Sequence, residues 1–246
     1  MNNGHQLMAA LQLYAADYSD WLPPNPEDSG TNRWVGGKMN VPEETTNVVF
    51  LTDPTFAKLA PYAGRSAAIY KCPSDKSTVS TAGASYARVR TFSMSQAVGT
   101  KPTLPEGPVD GPWLDGTRLH VAGHPWKTYG KFSTMDRPSP AELWVFLDED
   151  EHLINDAAFA VAMTTPTQII DWPGIYHGFS CGFAFADGHS EIHRWKDPRT
   201  RIPSNYLTEP ADYLQHKIQP ENSDITWLQR HTSARAQVVD VQVRRP

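Results

Sequence analysis

The stretch Phe183-Ala184-Phe185-Ala186-Asp187-Gly188-His189-Ser190-Glu191-Ile192-His193-Arg194-Trp195 most narrows what this chain can become. Asp-Gly between two alternating segments is a strong hairpin signal, because a two-residue type I′ turn needs φ > 0 at both central residues. The expected register sets Phe183 opposite Ile192 and Phe185 opposite Ser190. Ala184 and Ala186 then face Glu191 and His189, and Gly182 faces His193. Successive side chains point to opposite faces of a strand. One face is therefore aromatic and core-like, and the other sets small residues under a His-Glu-His row.

The rest of the chain reads as one large domain or two small ones in 246 residues. A hydrophobic fraction of 39% is low, but 11% aromatics with eight Trp can still build a core and argue against intrinsic disorder. Twenty-one Pro and 16 Gly predict many loops and short strands. With 22 basic against 27 acidic residues there is no basic stripe, which argues against non-specific nucleic-acid binding. No window approaches the ~20 apolar residues that span a bilayer. Cys72 and Cys181 stand outside any Cys-x-x-Cys, so they read as free core thiols or as one disulfide.

Leu7, Leu11, Tyr14 and Tyr18 recur on one face of a 3.6-residue period and predict a helix that stops before Trp21-Leu22-Pro23-Pro24. Its apolar stripe is already under way at the first residues. Asp53-Pro54 predicts a second helix start and Gly64 its stop. Short strands are expected at Ile69 to Cys72, Tyr86 to Met94, Leu143 to Leu147, 157–163 and 179–195. The Leu143 to Leu147 strand delivers Asp148-Glu149-Asp150-Glu151 at its end. Residues 97–128 read as a surface insertion anchored by Trp113 and Trp126, and Val238 to Val243 has strand character.

His177 lies nine residues before Asp187-Gly188, which resembles the His-x9-Asp-Gly signature of the bacterial prepilin-type processing-associated proteins. Met1-Asn2-Asn3 with Leu11-Gln12-Leu13-Tyr14-Ala15-Ala16-Asp17 looks like the segment just past a pilin transmembrane helix. Cys72-Pro73-Ser74-Asp75 resembles the family's Cys-Pro-x-Asp element, and Ser93-Met94 its Ser-Met strand. Val145-Phe146-Leu147-Asp148-Glu149 with Ile154-Asn155-Asp156 resembles its acidic element, and Asp224-Ile225-Thr226-Trp227-Leu228 its closing segment. The likeness touches most of residues 1 to about 232. Family members begin with a basic leader, a Gly-Phe-Thr-Leu-Ile-Glu cleavage site and a long apolar helix, and this sequence carries none of them. The expectation is that residue 1 continues a longer helix.

The resemblance implies an α+β fold with a pilin-like N-terminal helix packed on an antiparallel β-sheet under long loops. Residues 1–20 would be the lower part of that helix, 21–233 the head domain and 234–246 a tail. It implies a structural subunit of a type II secretion (pseudopilin) or type IV pilus-like fibre. The expected partners are other pilin-like subunits through the helix and the secretion machinery, with membrane contact only through the N-terminal segment that is not in this sequence. The expected location is extracytoplasmic, in the periplasm or at the cell surface, anchored in the membrane in full-length form. An oxidising compartment implies a Cys72–Cys181 disulfide, which would close a loop of about 100 residues and contribute about 4 to 5 kcal/mol.

Four chemical readings accompany it, each beside a plainer one. Asp148, Glu149, Asn155 and Asp156 are hard oxygen ligands suited to calcium, without EF-hand spacing; the plainer reading is a solvated acidic loop. His189 and His193, on one strand with Glu191, could hold a transition metal, but the plainer reading is structural, with His177 bonded to the hairpin turn and Asp187 fixing that turn. His189-Ser190-Glu191 formally meets the zinc-deaminase His-x-Glu, whose Pro-Cys-x-x-Cys partner is missing. Gly178-Phe179-Ser180-Cys181-Gly182 fits the esterase Gly-x-Ser-x-Gly, with Asp187 and either His189 or His231 as partners. A nucleophile elbow needs strand, turn and helix, whereas a strand follows Ser180. Loop residues Trp21, Trp34, Trp113 and Trp126 either stack on sugar rings, as in a carbohydrate-binding module, or pin loops to the body.

Overall fold

The computed structural model describes residues 2–26, 32–81, 83–102, 107–117, 125–201 and 217–236. The chain opens with helix α1 (Asn2–Asp17), followed by short helices α2 (Pro42–Thr45) and α3 (Val49–Thr52). Strands β1 (Thr78–Thr81) and β2 (Ala84–Ala87) make a small separate hairpin. The main sheet has five strands in the order β5-β3-β4-β6-β7, where β3 is Phe92–Ser95, β4 Trp144–Asp148, β5 Ala158–Phe159, β6 Ser180–Phe185 and β7 Ser190–Arg194. Only the β3–β5 pair is parallel. Helix α4 (Ser223–Thr232) follows. The fold is thus α+β, with α1 packed on a mostly antiparallel sheet.

Helix α1 buries Leu7, Met8, Leu11, Tyr14 and Ala15 against Val145, Phe146 and Ala184 of the sheet. The approach is close because the facing residues are small. A Cβ on Gly4 would lie 2.8 Å from Ser190 Oγ and 3.1 Å from the Ala184 Cβ. The helix ends where Ser19 and Asp20 turn left-handed, at φ 53 and 74. The opposite face of the sheet carries Trp144, Leu147, Phe183 and Phe185, covered by Trp195 and by Leu228 of α4. Asn222 caps α4, its side chain accepting from the amides of Asp224 and Ile225.

The hairpin forms, one residue out of the expected register. Gly182 pairs with Ile192, Phe183 with Glu191 and Ala184 with Ser190. Phe185 N donates to His189 O, so Ala186-Asp187-Gly188 make a three-residue loop. Only Gly188 is left-handed, at φ 96, as in a type I turn followed by a bulge. Asp187 instead spends its carboxylate on the His189 amide, 3.0 Å away. The slip moves Ser190 and Ile192 to the helix side with Gly182 and Ala184, and brings His189, Glu191 and His193 to the aromatic side.

Several other elements differ from expectation. Residues 53–64 run as successive turns, because Pro61 has no amide to donate and disfavours helix at Ala60. Thr55 N bonds the Asp53 carboxylate at 2.8 Å, and Gly64 is left-handed at φ 59. The short apolar run near Ile69 is a 3-10 helix, Ala67–Tyr70. The expected Tyr86 to Met94 strand is split into β2 and β3. Between them Arg88 donates to the carbonyls of Met39 and Glu151, and Arg90 to those of Gly37, Phe92 and Asp156. These guanidinium groups bind the loops onto the sheet. The strand expected over Val238 to Val243 lies outside the described residues; just before it, Ala234 O and Ala236 N bond residues 127 and 125.

Candidate functional site

The Cys72-Pro73-Ser74-Asp75 turn closes with Asp75 N donating to Cys72 O at 3.1 Å, proline supplying the fixed φ that such turns favour at their second position. The Asp75 carboxylate accepts from Ser77 N and Oγ and pairs with Lys71 at 3.2 Å. Thr91 ties this turn to β4: its hydroxyl accepts from Cys72 N at 2.8 Å and donates to Asp148 Oδ1 at 2.8 Å. Asp148, the last residue of β4, points across the sheet over Gly182, where a Cβ would lie 2.8 Å from Oδ2. Glycine at 182 therefore makes room for the carboxylate.

His177 comes from a tight turn whose central residues Gly178 and Phe179 are both left-handed, at φ 66 and 62. His177 N donates to Ser180 O across it. The two-residue geometry expected at Asp187-Gly188 is found here instead. The imidazole is directed away from the hairpin loop. Its Nε2 lies 3.3 Å from Cys72 Sγ and 3.9 Å from Asp148 Oδ2, and its Nδ1 3.5 Å from Ser74 Oγ. Gly188 O is met instead by His5 Nδ1 of α1, 2.8 Å away.

Among the described residues, Cys72, Asp148 and His177 are the one group of three or more metal-binding side chains whose ligand atoms all lie within 4.8 Å of each other. Burial pushes the Asp148 carboxyl up to about 7, against the pull of the Thr91 hydroxyl. Burial pushes the Cys72 thiol up to about 11; the nearby Asp148 adds to this, and hydrogen bonds from Ser74 and Asp75 oppose it. Burial lowers the His177 pKa and favours its neutral form. Sulfur and carboxylate both face the same ring nitrogen. A nucleophile–base–orienter relay needs them on different nitrogens, and a raised thiol pKa is the reverse of an activated cysteine.

Cys72 and Cys181 are both buried free thiols, so the disulfide expected from the motif resemblance is not formed. Alternation along β6 explains this. Gly182 faces the Asp148 carboxylate, so its neighbour Cys181 points to the other face, among Trp144, Phe183 and Trp195. There its Sγ donates to Asp148 O at 3.1 Å.

Asp148, Glu149 and Asp156, three of the four residues expected for calcium, do not gather their carboxylate oxygens into one ligand group. Asp148 and Glu149 are consecutive on an extended segment and point to opposite sides. Glu149 accepts from Ser93 Oγ, Asp156 Oδ1 accepts from Ala158 N, and Asn155 is exposed. Burial, then the charge of Asp171, raises the Glu149 pKa well above the carboxylate range. Far from a solvated loop, Asp148, Glu149, Asp150 and Asp156 are all buried.

Ser180 opens β6, while Asp187 and His189 lie beyond its far end. At about 3.3 Å per residue the five steps of that strand hold them more than about 15 Å apart. His231 bonds its ring to Trp227 O and stacks on Trp227, so the esterase set is not assembled. His193 stacks on Trp227 at 3.7 Å, and His189 on Phe185 at 4.4 Å, in separate aromatic settings. Trp34 is fully buried with Nε1 donating to Ala157 O, which leaves it no face for a sugar. Trp21 lies under Lys131, Trp126 under Arg235, and Trp113 packs on Ala160, Ala162 and Ile170.

The grouping of Cys72 with His177 and Asp148 was not predicted from sequence, since the three lie in separate segments. The one available signal was that each falls in a different motif of the family resemblance. No helix of the described residues is long and apolar enough to cross a membrane. Compared with known proteins, the chain matches no family model, no curated protein and no solved structure.

Proposed function

We propose that this chain is the head of a pilin-like assembly subunit, a pseudopilin of a secretion or pilus-like fibre. The motif resemblance motivates the reading. The observation that supports it best is the seating of α1: one face locked onto the sheet through Leu7, Met8, Leu11 and Tyr14, while Leu13 on its other side remains 55% exposed. In a fibre the exposed side of α1 would face neighbouring subunits and the sheet would form the outer surface. Thiol cross-linking of a Leu13→Cys variant in the cells that make the protein tests this. A ladder of cross-linked species containing this chain is expected. A monomer alone would sink the proposal, and ester turnover abolished by Ser180→Ala would put a hydrolase in its place.

A further inference from the structure

We propose that Cys72, Asp148 and His177 form a binding site for a single zinc-class transition-metal ion. This stands apart from the assembly reading and does not depend on it. A tetrahedral zinc with S, N and O ligands sets sulfur and nitrogen about 3.6 Å apart and nitrogen and oxygen about 3.3 Å apart, from ordinary bond lengths. The corresponding separations are 3.3 Å for Cys72 Sγ to His177 Nε2 and 3.9 Å for His177 Nε2 to Asp148 Oδ2. The third pair, Cys72 Sγ and the Asp148 carboxylate, also lies within 4.8 Å, so side-chain adjustments without backbone rearrangement bring all three ligands to one ion.

Asp148 and His177 each have their own support. Thr91 Oγ1 holds the other Asp148 oxygen at 2.8 Å, and Ser74 Oγ faces the other His177 nitrogen at 3.5 Å. Such supporting contacts orient ligands and fix the histidine tautomer. The donors come from three segments remote in sequence, so an ion would brace the Cys72 turn, the end of β4 and the turn before β6. A thiolate with an imidazole selects zinc or its soft neighbours over calcium and magnesium, which take oxygen ligands. The His177 side chain is 22% exposed while that of Asp148 is 3% exposed, so a fourth, solvent ligand enters from the histidine side. Three protein ligands and an open position are the arrangement of a zinc ion that can exchange its water.

The test is a Co²⁺ titration of the purified, chelator-treated chain, read by absorbance. A thiolate-to-cobalt charge-transfer band with tetrahedral ligand-field bands is expected, displaced by Zn²⁺ and not by Ca²⁺. The band should vanish in Cys72→Ala and persist in Cys181→Ala. Thr91→Val should weaken affinity by about 10- to 100-fold. Absence of the band in the unaltered chain, or its survival in Cys72→Ala, overturns the proposal. Should Cys72→Ala fail to fold, native mass spectrometry of the unaltered chain decides: a single zinc adduct supports the site, and no adduct overturns it. A Cys72–Cys181 disulfide in protein isolated from its own cells would likewise overturn it.

Discussion

The contact between α1 and the sheet is tight enough to reverse the usual effect of replacing a helical glycine. Alanine at an interior helix position is favoured over glycine by about 1 kcal/mol. At Gly4 the added methyl would sit 2.8 Å from Ser190 Oγ and 3.1 Å from Ala184 Cβ. Overpacking of this kind costs about 1–3 kcal/mol. Gly4→Ala should therefore be net destabilising by about 1 kcal/mol, lowering Tm by about 2–4 °C for a chain of this size. Ser190 Oγ is buried and has no hydrogen-bond partner. Ser190→Ala alone should then stabilise by about 1 kcal/mol, because an unsatisfied hydroxyl is removed. It also takes away the nearer clash and leaves the Ser190 Cβ at an ordinary 3.6 Å. In that background Gly4→Ala should turn neutral or favourable, a coupling of about 1–2 kcal/mol between the two sites. Thermal and urea unfolding of the two single variants and the double variant measure it. Equal costs of Gly4→Ala in both backgrounds would refute the close-approach argument.

Other perturbations probe other parts of the fold. Leu11→Ala empties a fully buried position beneath α1 and should cost about 2–5 kcal/mol, whereas Leu13→Ala, on the exposed side, should stay within about 0.5 kcal/mol by urea titration. Asn222→Ala removes the α4 cap and the donor to Thr200 and Gln219, and should lower Tm by about 4–8 °C, about 2 kcal/mol. Burial lowers the His193 pKa to about 4, with Asp224 opposing and Lys196 and His231 adding. The unfolded chain then binds the proton first, so the His193 contribution is lost as pH falls from about 6.5 toward 4. His193→Gln should flatten the decline in Tm over that window, and an unchanged slope would remove the assignment.

What could be read in the sequence was mostly periodic. The α1 stripe and the two alternating arms of the hairpin carry a repeating signal and β4 an unbroken apolar run; each is in place, save that Tyr18 lies past the helix end and is half exposed. The register was lost because Asp-Gly serves two loop lengths: a left-handed glycine suffices for the three-residue form, while Asp187 is better used accepting the His189 amide. The run at 53–64 carries helix punctuation, but Pro61 inside it prevents propagation. The calcium reading rests on oxygen ligands at the end of β4 and on the pilin-like resemblance, and neither tells a solvated carboxylate from one buried under Thr91 or Ser93. The Cys72, Asp148 and His177 grouping depends on long-range pairing: β4 must lie beside β6 before Asp148 can pass over Gly182. A local pattern does not carry that pairing.

The nine residues separating His177 from Asp187 leave no slack: a two-residue turn, then β6, then the entry to the hairpin loop. This length works as a gauge. One residue added within β6 would send Phe183 and Phe185 toward α1 and the small residues outward. Two added residues would restore the facing but carry His177 about 6–7 Å along the strand, out of reach of Cys72. Insertions and deletions are shut out of this interval by geometry alone, even at positions where a substitution would pass unnoticed.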